Sequence, residues 1–205
     1  MMMKRNKAAV LLFVMFCAGH VLAQEQEPET LLGEITTSGG FGGPYMKVSS
    51  VGDVGAVWFG GFGGWVINHS FVIGGAGFGL LTDVDAGVDD FTGTERVLMT
   101  GYGGMWLEYH PGWKKVLHMS FATLIGGGGA MAAETDRFGN HAGEHNSDPF
   151  FIIEPAVQLN LNVIRSFRAG ISAGYRYTVG FNAGRVTDAE MRSATFGFFM
   201  KFGKF

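Results

Sequence analysis

The chain has 205 residues, with 15 Lys and Arg against 18 Asp and Glu, 34 glycines and 14% aromatics. An acidic balance without a basic patch excludes nucleic acid as a partner. Abundant glycine with no collagen period, beside so many aromatic residues, excludes both a collagen-like rod and a disordered Gly-rich chain.

Residues 1–23 read as a cleaved secretory signal peptide. Lys4, Arg5 and Lys7 precede an apolar run from Ala8 to Gly19, and Val21-Leu22-Ala23 offers a cut after Ala23. That run is shorter than the roughly 20 residues of a transmembrane helix. Phe16 stands before Cys17 where lipoprotein processing needs a small residue, so Cys17 leaves with the leader. The remainder has no cysteine, hence no disulfide and no thiol chemistry. Cleavage removes three of the 15 cations and none of the 18 acids, which takes the formal charge from −3 to −6. Residues 24–38 open with Glu25, Glu27, Pro28 and Glu29 and form a periplasmic lead-in. Residues 39–205 are the single remaining domain.

The first strand is expected over Gly40–Ser50, where Pro44 calls for a bulge or a later start. Gly52-Asp53 is a turn. Val54–Ile67 and Phe71–Thr82 are the second and third strands, around the tight turn Asn68-His69-Ser70. This stretch holds no charged residue, but its nine glycines argue against a membrane helix, because each costs a helix about 1 kcal/mol relative to Ala. Asp83–Glu95 is a polar loop, Arg96–Tyr109 the fourth strand, and His110–Lys115 a short turn. The fifth strand lies within Val116–Ala133, and Glu134–Pro149 is a long polar loop. Phe150–Ile164, Phe167–Phe181 and Met191–Phe205 complete a set of eight.

The sixth and seventh strands show the pattern best. Phe151, Ile153, Pro155, Val157, Leu159, Leu161 and Val163 alternate with Glu154, Gln158, Asn160 and Asn162. Ile171, Ala173, Tyr175 and Tyr177 alternate with Arg168, Ser172 and Arg176. A period of two sustained over about fifteen residues gives long strands with one greasy and one polar face. Soluble strands are nearer five or six residues, whereas this length suits a bilayer-spanning barrel. Connections after the second, fourth and sixth strands are tight, and those after the third, fifth and seventh are long and polar; only the first outer connection, near Gly52, breaks the rule by being short. That rhythm matches the periplasmic turns and extracellular loops of outer-membrane barrels.

With Phe205 last, the chain resembles small bacterial outer-membrane β-barrel proteins of the eight-stranded OmpA or OmpX type. The resemblance implies assembly through the C-terminal strand by the outer-membrane assembly machinery. One departure is the terminal register. Gly203, Lys201 and Phe199 occupy the alternate positions counted back from the end, and Phe198, Met200 and Phe202 the others, so a bulge near Gly203 is expected. Gly60–Phe71 also looks like a segment of exported bacterial proteins read as barrels, which implies no activity.

The glycine clusters at Gly60–Gly64, Gly74–Gly79, Gly101–Gly104 and Gly126–Gly129 lack the Gly-Lys-Ser/Thr of a phosphate loop. They read as a band that lets the wall curve and lets Phe62, Trp65, Phe78 and Tyr102 lie over bare backbone; a lipid groove or lateral opening is the functional variant. Asp83–Asp90 has alternate carboxylates but fails the EF-hand template, with Gly87 at a ligand position and Thr94 in place of the bidentate Glu. His141-Ala-Gly-Glu144-His145 spells a zinc pattern without the helix that chemistry needs. His118 and Ser120 share a strand face at a spacing used by some outer-membrane lipid A deacylases, with Glu108 and Glu154 as candidate orienting carboxylates.

Lumen-facing Glu108, Glu154, Gln158, Arg168 and Arg176 are expected to form a structural Arg–Glu network plugging the barrel, because buried charges must pair and an eight-stranded barrel is just wide enough to be filled. The sequence thus predicts an all-β, eight-stranded antiparallel transmembrane β-barrel in the outer membrane. It is expected to be a non-enzymatic scaffold or interaction protein without catalytic residues, metal or cofactor, contacting outer-membrane lipid and an envelope or extracellular partner. The rival readings are a lipid-modifying enzyme, a narrow pore, and a soluble lipocalin-like binder. The lipocalin-like reading would turn Val157, Leu159, Ile171 and Tyr175 inward and Arg168 and Arg176 outward.

Overall fold

In a computed structural model, residues 36–88, 93, 95–135, 141–142 and 148–205 are described. Eight long strands form the wall: β1 Ser38–Val51, β2 Val54–Ile67, β3 Phe71–Leu80, β4 Glu95–Tyr109, β5 Leu117–Thr135, β6 Asp148–Ile164, β7 Phe167–Val179 and β8 Ser193–Lys204. Each pairs antiparallel with its sequence neighbours, and β8 pairs with β1, so the sheet closes and leaves no edge. Closure satisfies the backbone hydrogen bonds inside the wall, as a bilayer requires.

Alternation decides the two faces. Met46, Phe59, Ile73, Met105, Phe121, Leu159, Ile171 and Phe198 stand exposed on the outside of the eight strands, one on each. Among the described residues, no Lys, Arg, Asp or Glu faces out from the middle of a wall strand. Such an exterior is the lipid-facing surface of a transmembrane barrel. Val157, Leu159, Ile171 and Tyr175 face out while Arg168 and Arg176 are buried, the reverse of the soluble-binder parity.

The turns sort by end. Asn68 and His69 both take positive φ, 49° and 60°, and Ser70 N–H donates to the Ile67 carbonyl. That is the type I′ geometry that matches strand twist, and Asn tolerates it best after Gly. His110–Val116 and Arg165-Ser166 close the same end of the barrel. At the other end Gly52-Asp53 is a two-residue turn between β1 and β2, and the remaining connections are longer. Asp85–Val88 adds a short strand to β4, and residues 180–192 fold back with a small ladder, Asn182–Ala183 on Val186–Thr187, and one helical turn, Asp188–Met191. Val84, Ala86, Phe181, Ala183, Val186 and Met191 are buried there and cap the lumen. Asp188 pins this cap by accepting the N–H groups of Gly180 and Phe181. Desolvation pushes its carboxyl pKa up, but these bonds outweigh it and hold the value below the ordinary one.

Two expectations about irregularity are corrected. β1 starts at Ser38 and runs through Pro44 with no register shift against β2, where Pro44 faces Gly61. The ladder to β8 skips Gly43 and Pro44 instead, where proline has no N–H to give. Nor does β8 bulge near Gly203: its pairings run without a shift, and Phe196, Phe198 and Phe202 face out. Lys201 and Phe199 point inward because they have lumen partners, and Phe205 turns to the lumen side to stack on Phe41. Phe181, expected as the last residue of the seventh strand, lies beyond β7 and packs inward on Phe150.

The glycine clusters come into register. Gly61, Gly77, Gly103 and Gly127 follow one another across β2 to β5. On the inner face Gly64 faces Gly74 and Gly104 faces Gly126. A Cβ on Gly126 would collide with the Gly103 carbonyl, and one on Gly60 would press on the Phe78 ring. Phe62, Phe78 and Tyr102 use this bare backbone from inside, whereas Trp65 faces out.

Candidate functional site

The lumen is filled, and its polar groups form two centres separated by aromatic rings. All five residues expected in the lumen, Glu108, Glu154, Gln158, Arg168 and Arg176, are buried within it. Their partners differ from the expected Arg–Glu pairs.

In the centre nearer the short-turn end, Lys201 donates to Glu108 Oε1 at 2.6 Å, to Gln158 Oε1 at 3.0 Å and to Asn160 Oδ1 at 3.1 Å. Glu108 also accepts from Ser120 Oγ at 2.7 Å, from Trp106 Nε1 at 3.2 Å and from His110 Nε2 at 3.0 Å. Lys201 and Glu108 have fully buried side chains, so a lone member of the pair would be a bare charge in a dry interior. Phe41, Phe62 and Phe199 present their rings to the Lys201 ammonium.

In the second centre Lys47 pairs with Glu154 Oε1 at 2.6 Å, and Tyr102 and Thr195 donate to the same carboxylate. The Lys47 ammonium lies 3.5 Å from the Phe78 ring centroid. Arg176 does not reach Glu154. It stacks on Trp58 and donates to Ser49 Oγ, Ser193 Oγ and the carbonyls of Ser50 and Met191, tying β1, β7, β8 and the cap together. Arg168 also lacks a carboxylate partner; its guanidinium lies 3.9 Å from the Phe205 ring centroid.

Tyr45 and Phe199, register partners on β1 and β8, separate the two centres, with Phe62, Phe78 and Trp106 packed edge-on around them. Sequence reasoning missed Lys47 and Lys201, the cations that matter most to this network. The available signal was parity: Lys47 alternates with Met46 and Val48, and Lys201 with Met200 and Phe202, which puts both on the lumen side with the two glutamates.

The hydrolase constellation does not assemble. Ser120 is fully buried and gives its hydroxyl hydrogen to Glu108, and Asn160 Nδ2 donates to the Ser120 Oγ. His118 faces His110, 3.4 Å away, and the Lys115 carbonyl. Thus His118 is not placed as the base of Ser120, which a nucleophile would need. In the acidic loop, Asp85 spends one oxygen on the Gly87 N–H and sets the other 3.8 Å from Arg185. Asp89 and Asp90 lie outside the described residues, as do residues 143–145 of the His141–His145 pattern. Among the described residues no group of three or more His, Cys, Asp or Glu is arranged to hold a metal.

The exterior, the closed register and the packed interior together define an eight-stranded transmembrane β-barrel. No protein-family model matches the chain, and no curated protein matches it in sequence. Among solved structures it is similar to Ail, the attachment invasion locus protein of Yersinia pestis. The sequence identity is 13% over 81% of this chain and 97% of that one, with a TM-score of 0.45. The complex of Ail with the heparin analogue sucrose octasulfate gives the same identity and coverage and a TM-score of 0.48. The barrel assignment comes from this chain's own strand pairing and exterior.

Proposed function

We propose that the protein is a resident of the bacterial outer membrane, exported with cleavage after Ala23, that works without catalysis as a rigid scaffold. Its long-loop end is offered to an envelope or extracellular partner. The supporting observation is the lumen, where two buried Lys–Glu pairs and an aromatic layer occupy the space a pore or a ligand would need. Ser120 argues the same way against the lipid hydrolase, since its hydroxyl is a donor to Glu108 rather than to His118. On this reading the assembly machinery engages β8, and the short turns face the periplasm.

The test is fractionation of expressing cells, followed by electrophoresis of heated and unheated membrane samples. Recovery in the outer membrane with a heat-dependent mobility is expected. Ser120→Ala and His118→Ala should fold and leave the acylation of envelope lipid unchanged. Recovery in the soluble periplasm, or loss of a lipid-deacylating activity in both folded variants, would sink the proposal.

A further inference from the structure

At the short-turn end the lumen opens into a cavity of about 400 Å³, walled by Trp113, Lys114, Arg165, Arg168, Lys204 and Phe205 together with Asn162 and Ile164. Four of these have cationic side chains and none has an acidic one. Arg168 sits at its floor, only 5% exposed. It pairs in register with Lys201, a second buried cation, and Lys201 has already taken Glu108. The Arg168 guanidinium is held by the Phe205 ring, and among the described residues it has no hydrogen-bond or ion-pair partner. The lysine at 114 lies over its neighbour Trp113, 5.3 Å from a ring centroid. The Arg168 nitrogens are not sealed from the cavity, so they can meet a ligand there, and four like charges around one cavity repel one another.

We propose that this mouth is a binding site for a phosphate-bearing anion, with Arg168 as its anchor and Lys114, Arg165 and Lys204 as its rim. The donor set selects the chemistry. A flat guanidinium fork meets two oxygens of one phosphate, and three further cations exceed what the two oxygens of a carboxylate can accept. The Phe205 ring covers one face of the guanidinium and leaves its N–H edges open. A headgroup phosphate of the adjoining leaflet and a free phosphate share this chemistry.

The experiment uses the full refolded barrel with ¹⁵N labelling and follows the Arg168 Nε–H and Trp113 indole signals. One arm titrates inorganic phosphate into the protein in dodecyl maltoside, which has no phosphate. The other places the protein in digalactosyl-diacylglycerol bilayers with increasing phosphatidylglycerol. Saturable shifts of both signals are expected. Saturation in the lipid arm alone assigns the source to headgroups, and saturation by free phosphate in detergent assigns it to a soluble anion. Arg168→Gln should weaken binding by roughly tenfold or more, the loss of one charge-assisted bidentate contact. Should that variant not fold, the rim triple Lys114→Gln, Arg165→Gln, Lys204→Gln replaces it, since these side chains are not part of the packed interior. Shifts absent from both arms, reproduced by chloride at equal ionic strength, or retained in the folded variants would overturn the proposal. Folding is read separately by heat-dependent mobility, so this result stands apart from the outcome for the scaffold reading.

Discussion

Lys201 faces three acceptors and has no route to water. Removing its charge strands the Glu108 carboxylate in the lumen, and breaking a buried pair from one side costs about 3–5 kcal/mol. Lys201→Met should therefore destabilise the barrel by about that amount, read by urea unfolding in lipid vesicles. The double variant Lys201→Met with Glu108→Gln should recover much of the loss, because the uncompensated charge is gone. Equal stability of the single and double variants would mean that the pair is not coupled. This residue also shows the limit of reading the chain alone. Parity placed Glu154, Gln158, Arg168 and Arg176 in the lumen, because β6 and β7 alternate cleanly; Glu108, on β4, had no such pattern behind it. Which cation meets which acid depends on barrel stagger, and stagger is set by pairing across the closure of β1 on β8. Hence the sequence suggested arginine partners where the fold supplies lysines.

Within the wall, the glycines are not equivalent, and the register separates them. Gly126 faces Gly104 across β4 and β5, and a Cβ there would run into the Gly103 carbonyl, which cannot yield without moving the strand. Gly79 has no atom within 4 Å of the position its Cβ would take. Gly126→Val should then cost about 1–3 kcal/mol or more through overpacking, and slow folding in vesicles. Gly79→Val should be close to neutral, since it adds only lipid-facing apolar surface. A comparable loss in both would show that glycine matters here through chain flexibility rather than close approach. The strand count and the short-long rhythm of the connections were legible because turns and charges mark them. The parity of the glycine-rich stretches of β1 to β4 was not, because glycine carries no hydropathy signal and occurs on both faces there.

At the scale of the molecule, the layering of the lumen makes a claim about transport. A polar lining alone could suggest a pore gated by its ion pairs. Here Tyr45, Phe62, Trp106 and Phe199 lie between the Lys201 and Lys47 centres, and the cap of Phe181, Val186 and Met191 closes the far end. Eight strands leave an interior that side chains can just fill. Loosening the ion pairs therefore does not open a path, because the aromatic layer still blocks it. The variant Lys47→Ala, Glu154→Ala should insert into a planar bilayer without channel events, as should the unaltered protein. Adding Tyr45→Ala, Phe62→Ala and Phe199→Ala, with Lys201→Ala and Glu108→Ala, should produce conductance if enough fold survives to show heat-dependent mobility. Channel events in the first variant would place the barrier in the ion pairs and contradict the aromatic block. Silence in the heavily truncated but folded barrel would locate the barrier in the loop cap instead.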